Sequence, residues 1–244
     1  MLLRVAGVDV LAVVPARGGS KGLPRKNLAP FLGRPLIEWS IEAGHRARLV
    51  TRTVVTTDDE EIASCARAAG AEVPFLRPAE LAGDTVTDLP VFEHVLDWYA
   101  RHEGYRPDLV VQLRPTSPVR PGGIVDEGIE RLLADPGADS LRVVCTPPNN
   151  PYKMWRIDDG YLVPLVDSGI AEQYNQPRQA LPPAWWQIGT LDVIRAATIT
   201  DLHSMSGRRI LPMVVDAELA VDIDDARSLR HAEEAARLGG LSSQ

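Results

Sequence analysis

Two cysteines, Cys65 and Cys145, are all that the 244 residues contain. They stand far apart with no C-x-x-C pair, which excludes a disulfide framework and a cysteine-built metal site. Each sits in a segment with a core-like pattern, so both are read as reduced core thiols. No apolar stretch approaches the ~20 residues needed to cross a bilayer, and residues 1–8 carry neither the apolar run nor the small-residue cleavage site of a secretion signal. The expectation is a cytoplasmic protein with no membrane partner. Positive charge is also short: 26 Lys and Arg against 33 Asp and Glu leave a net charge of −7, which argues against nucleic acid as the main partner. With 45% apolar and 24% charged residues, and no repeat or low-complexity linker, the chain reads as one globular domain over residues 1–244.

Against that acidic background stands one basic stretch. Val10-Leu11-Ala12-Val13-Val14 reads as a buried strand, and it empties into Pro15-Ala16-Arg17-Gly18-Gly19-Ser20-Lys21-Gly22-Leu23-Pro24-Arg25-Lys26-Asn27. Glycines let backbone N–H groups approach an anion closely. Arg17, Lys21, Arg25 and Lys26 supply the opposing charge at the carboxyl end of a strand, where open α/β sheets bind ligands. The combination suits phosphate. The loop has neither the G-K-[ST] ending of a P-loop nor the G-x-G-x-x-G spacing of a dinucleotide fingerprint, which removes the usual support for ATPase and dehydrogenase readings.

Strand and helix patterns then alternate. Residues 35–47 place Leu36, Trp39, Ser40 and Ala43 at helical spacing, and 53–56 is a β-branched strand. A helix opens at Asp58, which with Glu61 has capping-box spacing. Further helical spacing runs over 88–103, and strands are predicted at 108–113 and 140–145. This predicts an α/β, doubly wound, mostly parallel, Rossmann-like sheet. At 147–180 the alternation breaks into a protruding excursion, whose residues 152–166 read as a β-hairpin turning at Asp159-Gly160. Strands at 210–215 and 220–224 are expected to close the sheet. In the latter, Asp222 and Asp224 share one face opposite Val221 and Ile223, a pair of hard oxygen donors suited to Mg²⁺. A helix over 225–238, with Leu229, Ala232, Ala236 and Leu238 inward, and a frayed tail at 239–244 complete the reading.

The run A-R-G-G-S-K-G-L-P-x-K-N-L at residues 16–28 resembles the nucleotide-binding signature of the acylneuraminate cytidylyltransferases, which make CMP-activated nonulosonic acids from CTP. The resemblance continues in order through T-D-D-E-E-I-A, the segment from Phe75 to Asp84, P-T-S-P at 115–118, P-R-Q-x-L-P at 177–182 and V-D-I-D at 221–224. It implies a fold of the nucleotide-diphospho-sugar transferase type, Mg²⁺ on Asp222 and Asp224, and a homodimer in which the excursion reaches a neighbouring subunit. Nucleotide binding is expected from Ala16, Arg17, Gly18, Gly19, Ser20, Lys21, Lys26, Asn27 and Arg77. Catalysis is expected from Arg17, Lys21, Lys26, Asp222 and Asp224, and acceptor binding from Arg114, Thr116, Ser117, Lys153, Arg178, Gln179 and Asp192.

Two departures stand out. The family's usual glutamine before P-T-S-P is Arg114 here, which suggests an acceptor with an additional anionic or acceptor-rich face. Where those enzymes have N-G-x-x-Y, this chain has Ile188-Gly189-Thr190-Leu191-Asp192, with Trp185 and Trp186 adding bulk. The implied reaction is attack of a sugar-acid hydroxyl on the α-phosphorus of CTP with loss of pyrophosphate, and no histidine is assigned as base. A different acceptor, such as a KDO-like acid or a sugar 1-phosphate, and a non-catalytic nucleotide-sugar binding role remain the alternatives.

Overall fold

The computed structural model describes residues 7–238. The elements run β1 (Val10–Pro15), a short ribbon of β2 (Pro30–Phe31) and β3 (Arg34–Pro35), α1 (Leu36–Arg46), β4 (Arg52–Thr56), α2 (Glu60–Ala68), α3 (Asp88–His102), β5 (Leu109–Gln112), α4 (Ile124–Ala134), β6 (Ser140–Cys145), β7 (Trp155–Asp158), β8 (Tyr161–Pro164), β9 (Trp186–Arg195), α5 (Ala196–Thr200), β10 (Ile210–Val214) and α6 (Ala226–Leu238).

Six strands form one sheet in the order β10-β6-β9-β5-β1-β4. β1 runs parallel to β4 and β5, and β10 parallel to β6, while β9 lies antiparallel between β5 and β6. The apolar run of β1 explains its central place. Val10, Ala12 and Val14 pack into one core with α1, α2 and α4, whereas Leu11 and Val13 pack into a second core with α3 and α5. Alternate side chains thus serve the two faces of a sheet covered on both sides, as the doubly wound reading expects. A third cluster joins Phe31, Leu36 and Trp39 to Val221, Ile223 and the Ala232 and Ala236 face of α6.

The excursion forms a two-stranded hairpin, β7 against β8, outside the main sheet. Asp159 and Gly160 at its turn both have positive φ, 47° and 83°, the conformation that favours Asp-Gly in a two-residue hairpin turn.

Four expectations are corrected. Residues 220–224 are not a strand: the burial alternation is present, with Val221 and Ile223 inside and Asp222 and Asp224 exposed, but the N–H of Ile223 bonds to the carbonyl of Thr116 at 2.8 Å instead of a neighbouring strand. The strand that completes the sheet is β9, where only a pocket segment was expected. α4 was not foreseen as an element. The cap of α2 is Asp59, not Asp58, and its carboxylate accepts from the N–H groups of Glu61 and Ile62 at 3.0 Å each. The tail at 239–244 and the side chain of Leu238 lie outside the described residues.

Candidate active site

The basic loop is held in shape by its neighbours. Ala16 N–H bonds to the carbonyl of Thr56 at 3.0 Å, extending the β1–β4 ladder past the strand end. Asp58, freed from capping, accepts the N–H of Gly18 at 2.9 Å. A Cβ on Gly18 would lie 2.8 Å from Asp59 Oδ2, so only glycine brings the chain this close to α2. Asn27 is buried and ties the loop to itself, donating through Nδ2 to the carbonyl of Arg17 at 2.9 Å.

Beside the loop opens a cavity of about 550 Å³ at the carboxyl end of β1. Its lining brings together Arg17, Ser20, Lys21, Lys26, Asn27, Arg77, Arg114, Thr116 and Asp224 of the expected residues. Ala16, Gly18, Gly19, Ser117, Lys153, Arg178, Gln179, Asp192 and Asp222 are not among its lining residues. Lys26 Nζ lies 3.1 Å from Asp224 Oδ1, so the loop and the V-D-I-D segment meet across the cavity. The approach is so close that a Cβ on Gly22 would lie 2.3 Å from the carbonyl oxygen of Asp224.

Two acids absent from the expected set complete the charge pattern. Asp84 pairs with Lys21 and lies 3.2 Å from Arg17, which also donates to the carbonyl of Gly83 at 3.0 Å. The hydrogen bond from Lys21 holds the Asp84 carboxyl below the usual carboxylate range. Asp88 lines the same wall, at the first residue of α3. The Gly83-Asp84 turn ahead of a helix was the available signal for both. Arg25, grouped with the phosphate cations, instead turns onto α2 and pairs with Asp59 and Glu61.

Arg77 is buried and spans from the cavity wall to β4, donating through Nε to Thr56 Oγ1 at 3.1 Å and through Nη2 to the Thr56 carbonyl. Burial lowers its pKa. Arg114 is charge-balanced: Nη1 lies 2.8 Å from Asp192 Oδ2 and Nη2 3.0 Å from Asp88 Oδ2. Arg114, expected to meet an anionic or acceptor-rich face of the acceptor, lines the cavity with its guanidinium already facing these two carboxylates. Asp192 was expected to meet the acceptor, yet it is fully buried in β9, paired in register with Gln112 of β5 and Arg142 of β6. Just before it the β6–β9 register shifts, and this irregularity contains Ile188 to Leu191.

The same irregularity seats the P-T-S-P loop. A Cβ on Gly189 would meet Ser117 Oγ at 2.5 Å, so Ser117 sits buried against β9 instead of lining the cavity. Arg120 is buried beneath and donates to the carbonyls of Thr190 and Arg114 at 2.7 Å each and to Ser40 Oγ at 3.1 Å. Burial, with the Arg114 charge nearby, pushes it down to about 9. These bonds fix the backbone from which Arg114 and Thr116 project.

Lys153 and Arg178 gather elsewhere, around a second cavity of about 470 Å³ at the base of the excursion. Arg178 donates to the carbonyl of Pro147 at 2.6 Å, and Gln179 is exposed on the adjoining turn. Among the described residues no group of three or more His, Cys, Asp or Glu could hold a metal ion, and no helix is long and apolar enough to cross a membrane.

A glycine-rich cationic loop at the carboxyl end of a doubly wound sheet, facing a carboxylate segment, defines a nucleotidyltransferase-like architecture. The family model for cytidylyltransferases matches residues 11–135, half of the chain. The N-acylneuraminate cytidylyltransferase of Escherichia coli is 29% identical over 217 residues, 88% of this chain but 49% of that protein. The chain therefore spans about half the length of that relative. The post-translational flagellin modification protein B of Campylobacter coli is 27% identical over 229 residues, covering 92% of this chain and 94% of that one. Among solved structures, a CMP:2-keto-3-deoxy-manno-octonic acid synthetase superposes with a TM-score of 0.69 at 16% identity, covering 95% of this chain and 99% of that chain. This last likeness shows the fold. The chain belongs to the cytidylyltransferase family.

Proposed function

We propose that the protein transfers CMP from CTP to a nonulosonic, sialic-type acid and releases pyrophosphate. The observation that carries this reading is the convergence of Arg17, Lys21 and Lys26 with Asp224 and Thr116 on one cavity at the carboxyl end of β1. The relatives named above support CTP as donor and a sugar acid as acceptor.

In this reading the hydroxyl oxygen of the acceptor bonds to the α-phosphorus, the bond to the bridging oxygen breaks, and pyrophosphate leaves with that electron pair while the hydroxyl proton passes to solvent. Such a step needs positioning and charge neutralisation more than covalent chemistry. Arg17 and Lys21, now paired with Asp84, exchange that carboxylate for triphosphate oxygens, and Lys26 stands between Asp224 and the phosphates. In this reading the loop backbone at Gly19 supplies an N–H donor and Ser20 its hydroxyl, while Asn27 keeps the loop closed.

Mg²⁺ fits the donor set. Asp222 and Asp224 offer exposed carboxylate oxygens on a segment pinned to the cavity wall through Ile223, and Mg²⁺ commonly takes one or two carboxylates with substrate phosphates and water. Bound there, it would neutralise phosphate charge and acidify the incoming hydroxyl.

The acceptor carboxylate falls to Lys153 and Arg178. Because these residues surround a cavity separate from the loop, they reach the reacting centre in this reading from a second copy of the chain, as a homodimer. The hairpin supports that assembly, since Ile157, Tyr161 and Leu162 are 78%, 77% and 61% exposed and a lone two-stranded hairpin is marginally stable in water.

The test is pyrophosphate release with Mg²⁺, pairing each of CTP, UTP, ATP and GTP with nonulosonic acids, KDO and sugar 1-phosphates. Release with CTP and a nonulosonic acid supports the reading. Release only with another acceptor class overturns the sugar assignment, and silence throughout overturns the enzyme.

A further inference from the structure

The floor of the main cavity holds a polar network that phosphate binding does not use. Gln112 ends β5 and Arg114 lies two residues beyond it, while Asp192 comes from β9 and Asp88 from the start of α3. Arg114 Nη2 donates to Asp88 Oδ2 at 3.0 Å and to Gln112 Oε1 at 3.1 Å, and Gln112 Nε2 donates to the same Asp88 Oδ2 at 2.8 Å. Gln112 and Asp192 are fully buried, while the Asp88 side chain is 42% exposed and lines the cavity.

Both donors converge on one oxygen of Asp88. The other, Oδ1, takes no hydrogen bond from a described residue. A carboxylate pinned through one oxygen has a set orientation and keeps its second oxygen for a ligand. It repels an anion and welcomes an N–H or O–H group.

We propose that Asp88 is a substrate-binding carboxylate that accepts a hydrogen bond from an uncharged donor, an amino or hydroxyl group, on the ligand in this cavity, with Arg114, Gln112 and Asp192 as positioning residues. This deepens the nucleotidyl-transfer reading and rests on it. The donor group has two sources: the exocyclic amine of the pyrimidine base, or a hydroxyl of the sugar acid.

Asp88→Asn separates them. Arg114 and Gln112 both donate, so they hold the amide oxygen where Oδ2 was and turn the NH₂ into the place of Oδ1, converting an acceptor into a donor. Loss of one charge-assisted bond is expected to weaken the partner group's substrate by roughly tenfold to a hundredfold. If the base amine is the partner, KM for CTP rises and the CTP:UTP preference moves towards UTP, whose ring presents an acceptor at that position. If a sugar hydroxyl is the partner, only the acceptor KM rises. Asp192→Asn, which releases Arg114, is expected to shift the same parameter in the same direction by less.

Calorimetric titration of CTP, UTP and the acceptor into both proteins reads the same contact without turnover. A wild-type protein that binds none of them refutes the transfer reading and this proposal together. An active wild type with an Asp88→Asn variant whose two KM values and CTP:UTP ratio stay within twofold, even if its melting temperature falls, refutes the proposal alone.

Discussion

Gly22→Ala is the sharpest probe of how the loop meets the carboxylate segment. An ideal Cβ at residue 22 lies 2.3 Å from the backbone carbonyl oxygen of Asp224, whereas carbon and carbonyl oxygen ordinarily approach no closer than about 3.3 Å. Something must therefore open by about 1 Å. The 224 side resists, because the N–H groups of Asp224 and Asp225 both bond to Ser228 Oγ at 2.9 Å and that of Ile223 bonds to Thr116. The loop is the part that yields, carrying Lys21 and Lys26 away from Asp224. A displacement of that size in a positioned site costs about a hundredfold in rate. Overpacking of this kind costs about 1–3 kcal/mol of stability, or roughly 2–12 °C in melting temperature for a chain of this size. Gly22 lies outside the left-handed φ region, so the variant tests close approach and not backbone strain. Gly122→Ala is the control, since a Cβ there meets nothing within 4 Å. The assay is initial-rate pyrophosphate release beside a thermal melt. A folded Gly22→Ala protein with kcat/KM within threefold of wild type refutes the claim that this contact sets the geometry of the site.

Two more outcomes follow from the same structure. Placing aspartate at Ile157 and Leu162 of the hairpin is expected to turn a dimer into a monomer by light scattering and to abolish transfer; a wild type already monomeric at working concentration contradicts the shared-site reading. Asp59, whose carboxyl is held below the usual value by its hydrogen bond from Arg25 and by the α2 N–H groups, contributes stability that is fully present above about pH 4 and is lost as pH falls through the depressed folded value. Asparagine also caps helices, so Asp59→Asn removes the charge and keeps the cap, and its melting temperature should fall less steeply than wild type below pH 4. Parallel curves would sink that assignment.

The parts of the fold written locally were legible. β1 shows as an unbroken apolar run, β6 as a mostly apolar run interrupted by Arg142, α1 and α3 as helical stripes, and the hairpin as an Asp-Gly turn between apolar flanks. β9 was not, because Thr190 and Asp192 break its apolar run, and the contacts that hold this stretch come from residues distant in sequence: Arg120 on the Thr190 carbonyl and Arg114 on Asp192 Oδ2. The alternation at 220–224 was read correctly as burial and incorrectly as pairing, since burial can be served by α6 without a neighbouring strand. In the candidate site the loop cations stood out against an acidic chain, yet which of them face the cavity depends on acids elsewhere. Arg25 is drawn off by Asp59 and Glu61, while Asp84 and Asp88 belong to the basic site and look in sequence like ordinary turn and helix-start residues. Arg114 and Asp192, read as two separate departures from the family pattern, are one ion pair.

The central claim is that a new bond forms at the α-phosphorus of CTP, and phosphorus NMR of the protein turning over CTP with a nonulosonic acid and Mg²⁺ tests it most directly. Transfer by this route releases one equivalent of inorganic pyrophosphate for each new phosphodiester resonance, with no CDP and no orthophosphate. Appearance of CDP or orthophosphate in place of pyrophosphate, or unchanged CTP with every sugar acid offered, contradicts it.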